Sequence, residues 1–211
     1  LACHAYVDGR QRGNDEFADA ISMWVRVLFE GLFGIGPRCA EGRTELCPQF
    51  PAHWPRALIY TRHFRYTWQR TAGGQRLDWG APDYTVVCLR LPLRAAAIGV
   101  VRVDGRTVAH QVEPGVGLTW LKVTTPRAIA GSIEVEYTPA SISAPAARQV
   151  RVGAPVRLDL AEHGAVDWFD PQALLRDVRR QGSVLEATAT PEPGPGLLFL
   201  LAGSRDCPVW L

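Results

Sequence analysis

Lysine and methionine are almost absent from this chain. Of 23 basic residues only Lys122 is lysine, and the single methionine is Met23, well inside the sequence, so Leu1 is not expected to be a native start. Long apolar runs are missing too. Val27–Phe29 and Leu197–Ala202 fall far short of the roughly 20 residues that cross a bilayer, so no membrane partner is expected. Leu1–Gly13 has neither a basic leader nor an apolar core of about 7 to 15 residues and does not read as a signal peptide. Localisation therefore stays open, periplasmic or secreted if a longer parent carries such a leader. An excess of one charge is also lacking: 23 basic against 21 acidic side chains leave +2. No basic cluster is longer than Arg179-Arg180, which argues against nucleic acid as a partner. Five scattered cysteines (Cys3, Cys39, Cys47, Cys88, Cys207) form no CxxC, which sets aside a zinc ribbon or a disulfide-rich scaffold. Cys39 and Cys47 could pair across a turn or remain buried free thiols.

What is present is an ordinary globular composition, 47% hydrophobic and 21% charged. One strong helical period lies between Asp15 and Phe33, where Phe17, Ile21, Trp24, Val25, Leu28, Leu32 and Phe33 recur at spacings of three and four. Asn14 suits the N-cap, Asp15 and Glu16 suit the positive end of the helix dipole, and Gly34 or Gly36 followed by Pro37 ends the helix. Val27 and Phe29 widen its apolar face beyond a surface stripe. No other segment has a comparable helical pattern, so the helix is expected to have packed against partners outside the sequence.

After Pro37 the pattern changes to short alternating runs bounded by Gly, Pro and Asp. Candidate strands are 44–47, 57–60, 64–69, 75–78, 84–91, 98–103, 107–110, 118–123 and 131–137, with a type I′ hairpin at Asp104-Gly105. This density predicts a sandwich. Pro139–Pro145, small and uncharged, reads as a boundary. A smaller β unit follows, with strands near 156–160, 165–169, 174–180, 183–190, 197–202 and 209–211; it is small for an independent core and is expected to lean on the larger one. The expected units are 1–36, a terminal barrel loop and helix; 37–140, an antiparallel sandwich; and 141–211, a small sandwich-like unit.

The passage from Glu30 to Trp54 resembles a junction in carbohydrate-active enzymes built on an (α/α)6, or six-hairpin, barrel. In those enzymes the last barrel helix ends in Gly-[Leu/Phe]-x-Gly-[Ile/Val]-x-Pro and leads through a Gly turn and Leu-x-x-Pro-x-[Phe/Ile/Leu]-Pro-x-x-Trp into a C-terminal sandwich. The matching residues are Gly31, Leu32, Gly34, Ile35, Pro37, Gly42, Leu46, Pro48, Phe50, Pro51 and Trp54, and the likeness continues through Ile59–Tyr66. Disaccharide phosphorylases share this junction, as does a family of bacterial glycosidase-like proteins of unknown specificity. The latter family's tail is similar to Asp167–Gln172 and Val209-Trp210. The resemblance implies a mainly β chain: one N-terminal helix, the last of a missing α/α barrel, followed by a β-sandwich and a smaller Ig-like β unit. It implies the C-terminal portion of a glycoside hydrolase whose partners are carbohydrate and the upstream barrel of the same polypeptide. A stand-alone carbohydrate- or protein-binding module is the alternative.

Glycoside hydrolysis needs two carboxyl groups flanking the scissile bond. In barrels of this kind the general acid lies upstream, so this chain is expected to lack it and to be non-catalytic alone. The resemblance makes Asp15 or Glu16 a candidate general base of the parent, although dipole chemistry at a helix start accounts for both equally well. Arg10 and Arg12 are candidate contacts to sugar hydroxyls or solvated loop charges. The phosphate-binding turn of similar phosphorylases falls here on Ala18, Asp19 and Ala20, where an aspartate without a neighbouring hydroxyl opposes phosphate. His53 and His63 lack metal-ligand spacing, and neither a metal nor a cofactor is expected. No Gly-x-Ser-x-Gly elbow accompanies any serine, and Cys88 sits in a strand among apolar residues, so no nucleophilic triad is visible. Trp68, Trp79, Trp120, Trp168 and Trp210 are candidates for stacking on sugar rings or for packing, and Trp54 is expected to wedge between the helix and the first sandwich.

Overall fold

The computed structural model describes residues 5–7, 10–12, 19–38, 42–142, 145–190 and 194–211, as backbone alone up to residue 22 and at residues 37, 38 and 82. The chain opens with a hairpin of β1 (Ala5–Val7) and β2 (Arg10–Arg12), then α1 (Asp19–Arg26) running into a π turn, Val27–Leu32. A long strand series follows: β3 (Ile35–Arg38), β4 (Arg43–Leu46), β5 (Arg56–Tyr60), β6 (Arg65–Thr71), β7 (Gly74–Leu93), β8 (Ala95–Val103), β9 (Arg106–Thr107), β10 (Gln111–Val116), β11 (Leu118–Thr124) and β12 (Ala128–Pro139). The C-terminal part adds β13 (Pro155–Asp159), β14 (Ala165–Phe169), β15 (Leu175–Gln181), β16 (Val184–Ala189), β17 (Phe199–Ser204) and β18 (Cys207–Trp210).

The expected mainly β architecture with one N-terminal helix is what the chain adopts. Two sheet layers share β7. Its first half, Gly74 to Gly80, pairs with β6 and β12, and its second half, Val86 to Leu93, pairs with β4 and β11. The sequence pattern suggested two strands here, but the chain bends through Ala81–Tyr84 without leaving extended conformation. Pro82 sits where the ladder partners change, a place where a missing N–H costs no sheet bond. One layer reads β5-β6-β7-β12-β8-β9, and the other reads β3-β4-β7-β11-β10-β18-β17-β14. Alternation sends Tyr66, Trp68, Leu77, Val101, Ile133 and Val135 of the first layer against Leu46, Val87, Leu89, Leu91, Leu121 and Val123 of the second. The Asp104-Gly105 turn has positive φ at both positions, 50° and 74°, as a type I′ hairpin requires.

Four strands escape the sequence pattern: the hairpin β1 and β2, and within the sandwich β3 and β10. β3 contains Gly36 and Pro37, which read as a helix stop, yet as the last strand of its layer it tolerates proline. β10 contains Pro114-Gly115, which resembles a turn. In the smaller unit β13, β16 and β15 form a separate three-stranded sheet, and Leu160, Ala165, Leu185, Leu200, Ala202 and Val209 form a second buried cluster. The two units are sewn together. β18 pairs in parallel with β10 at Gly115–Val209 and Val116–Trp210, and the Thr119 hydroxyl donates to the Pro208 carbonyl at 2.7 Å.

Candidate functional site

The residues that carry the junction motif converge on the end of the helix. The Phe33 N–H bonds to the Leu28 carbonyl at 2.9 Å, five residues back, which makes the last turn π rather than α. Gly34 then turns the chain with φ +65°, and its carbonyl accepts the Cys47 N–H at 2.8 Å. A Cβ at Gly34 would fall 2.0 Å from the Cys47 carbonyl oxygen, so only glycine fits. Phe33 meets Phe50 edge-on at 5.4 Å, Phe50 stacks on Trp54 at 5.9 Å, and the buried Tyr66 hydroxyl donates to the Phe33 carbonyl at 2.6 Å. Burial pushes the Tyr66 hydroxyl well above the ordinary phenol range. Phe50 lies against the helix end, and the half-buried Trp54, expected there, stacks on Phe50 and packs on the same core cluster as Phe29, Leu32 and Phe33.

Among the described residues, one side of the helical segment is covered. Phe29, Leu32 and Phe33 pack on the sandwich core. Met23, Trp24, Val25 and Val27 are 58%, 68%, 47% and 59% exposed, and Leu28 is also exposed. On the same segment Arg26 pairs with Glu30 at 2.9 Å.

A concavity of about 680 Å³ lies on the outer face of the second layer. Because Leu46, Leu89 and Val123 point inward, their neighbours Glu45, Cys88, Arg90, Lys122 and Thr124 point outward, and β10 adds Gln111 and Glu113. The register aligns Glu45 with Cys88 and Thr124, and Arg90 with Lys122 and Gln111. Lys122 donates to Glu113, Arg90 lies 3.8 Å from the same carboxylate, and the Arg90 guanidinium covers the Trp120 ring at 4.2 Å. The Lys122 hydrogen bond, with further attraction from Lys122 and Arg90, holds the Glu113 carboxyl below its usual range. Glu113 is thereby kept ionised and unsuited to donate a proton near neutrality. Burial pushes the Cys47 thiol upward against the opposing pull of Arg90 and Gln49, which keeps it from acting as a thiolate. The groove is a polar surface on which Glu113 is paired with Lys122 and Arg90.

Several sequence candidates lie elsewhere. Asp15, Glu16 and Ala18 are outside the described residues, as are Asn14, Cys3 and Cys39. Arg10 and Arg12 are on β2, and Asp19 and Ala20 open α1; only their backbone is described. Cys47 carries a free thiol, as do Cys88 and Cys207. His53 and His63 are exposed on separate turns, and no group of three potential metal ligands occurs among the described residues. Trp68 and Trp79 belong to the core, with Trp68 Nε1 donating to Gln75 Oε1 at 2.9 Å. Trp168 and Trp210 are half-buried in the smaller unit. Sequence reasoning missed the groove entirely. Its only advance signal was the alternation of Glu45, Arg90, Glu113 and Lys122 with core residues on four separate strands. No protein-family model matches the chain, and no curated protein matches it either.

Proposed function

We propose that this chain is the C-terminal, non-catalytic portion of a glycoside hydrolase-like carbohydrate-active protein, in which α1 and the two β units brace a catalytic barrel of helices belonging to the same polypeptide. The observation that carries this reading is the bare apolar side of the helix. Fully burying a side chain of the Val, Leu or Met class is worth roughly 1.5–3 kcal/mol, so covering Met23, Val25, Val27 and Leu28, together with Trp24, is a strong drive for association. A neighbouring helix satisfies it by ridge-and-groove packing. The junction supports the same reading, because Gly34, Phe50, Trp54 and Tyr66 fix the helix rigidly to the sandwich while leaving its far side presented. The module alternative would use sandwich tryptophans as sugar platforms, but Trp68 and Trp79 are enclosed in the core and Trp120 lies under Arg90.

Oxidative footprinting read by mass spectrometry tests the proposal. Trp24 labels strongly in this chain and becomes protected in a polypeptide extended through the upstream coding region, and only the extended polypeptide hydrolyses glycan. Equal Trp24 labelling in both, or glycan hydrolysis by this chain alone, overturns it.

A further inference from the structure

A second depression, about 250 Å³, lies on the outer face of the first layer and shares no lining residue with the charged groove. It is lined by Tyr60, Arg62, Arg65 and Gly80, with Thr61 and Ala81. Strand register builds it. Tyr60 on β5 stands opposite Arg65 on β6, and Arg65 stands opposite Gly80 on β7, so aromatic ring, guanidinium and glycine form one row across three strands. The Tyr60 side chain belongs to an outward-pointing position and is 74% exposed. Arg65 lies over Gly80: a Cβ at Gly80 would fall 2.9 Å from Arg65 Nε, so the missing side chain is what lets the guanidinium rest across the strand. Arg62 is presented by a tight turn that the Thr61 hydroxyl closes, donating to the Phe64 carbonyl at 2.7 Å and accepting the Phe64 N–H at 2.9 Å.

The two arginines differ from others on the same sheet face. Arg76 is held by Asp78 and Glu134, and Arg102 by Glu136. The guanidinium groups of Arg62 and Arg65 have no hydrogen bond or ion pair among the described residues. Two uncompensated guanidinium forks beside an open aromatic face suit a ligand with a carboxylate at one end and a flat apolar ring face at the other. A uronate residue of an acidic oligosaccharide has both features on a single pyranose ring. We infer that Tyr60, Arg62, Arg65 and Gly80 form a binding site for a uronate unit of an acidic glycan, the carboxylate held by the arginines and the sugar face stacked on Tyr60. The choice of a sugar rests on the glycosidase-like reading, whereas the pairing of an anion with an apolar face rests on this site alone.

Calorimetric titration of the whole chain with oligogalacturonate and oligoglucuronate tests the inference, with uncharged gluco-oligosaccharide and sodium sulfate run alongside. At least one oligouronate binds, the uncharged sugar does not, and sulfate binds more weakly. Arg62→Ala and Arg65→Ala each weaken uronate binding roughly tenfold or more, as expected for a lost charged hydrogen bond. Tyr60→Ala weakens uronate but leaves sulfate unchanged, and Arg76→Ala, on the same face, changes neither. Circular dichroism of each exposed-site variant confirms an intact fold. Absence of binding to both oligouronates, binding that survives both arginine substitutions, or equal uronate and sulfate affinity with no response to Tyr60→Ala overturns the inference. Trp24 footprinting reads the bracing proposal separately, so protection there with no uronate binding refutes only this site.

Discussion

The two sides of the α1 and π-turn segment are made of the same kinds of residue and meet opposite surroundings. Phe29, Leu32 and Phe33 are drawn into a lattice of rings and hydrogen bonds with Phe50, Trp54 and Tyr66, whereas Met23, Trp24, Val27 and Leu28 face outward. Hydrophobicity does not separate them, and neither does helical period. What separates them is the exit of the chain at Gly34, which fixes the direction in which the segment leaves the sandwich and therefore the side it turns away.

The sharpest way to break that asymmetry is Gly34→Ala. The new methyl group meets the Cys47 backbone at 2.0 Å and the φ of +65° disfavours any side chain. A loss on the order of 4 kcal/mol in urea unfolding, or failure to fold, is expected; an unchanged midpoint would show that the junction is not what anchors the helix. Tyr66→Phe is a smaller perturbation of the covered side. It leaves the Phe33 carbonyl without its partner and costs about 1–2 kcal/mol. The effect depends on pH with a definite sign. Burial raises the Tyr66 ionisation in the folded state, so its contribution is complete below about pH 10, where the unfolded phenol begins to ionise, and declines as pH rises further. Unfolding measured from pH 8 to pH 11 therefore shows a shallower alkaline decline in Tyr66→Phe than in the parent chain, and identical slopes would count against burial as the cause. Trp24→Ser, on the open side, shifts the midpoint by less than about 0.5 kcal/mol. It lowers the fluorescence of a dye that reports exposed apolar surface; a large stability loss would mean that Trp24 is already packed.

Much of the strand content was legible because alternation and turn chemistry are local. Asp104-Gly105 announced its hairpin through the two positive φ angles it needs, and Leu118 to Val123 alternates as a half-buried strand must. β3 and β10 were hidden because Pro37 and Pro114 mimic breaks, and proline's tolerance at an edge or an irregular pairing is a property of the sheet rather than of the residue. β7 looked like two strands because Gly80 and Pro82 interrupt its pattern, although the backbone merely changes partners there. The sites were less legible. The charged groove joins Glu45 to Lys122, and the second depression joins Tyr60 to Gly80; both depend on register, in which a slip of one residue sends every side chain to the other face.

Taken alone, the order of residues determined that the chain is mainly β, that one amphipathic helical segment precedes the long strand series, where that segment stops, and that a second small β unit follows a proline-bounded stretch. These outcomes follow from backbone preferences and periodicities acting over a few neighbouring residues. Only the tertiary structure decided which side of the helix lies bare, that Phe50 meets the helix end edge-on, that the smaller unit joins the larger through β18 and β10, and which arginines remain without carboxylate partners among the described residues. The physical reason is that each of these depends on contacts between segments far apart in the chain, whose geometry is set by sheet register and packing together.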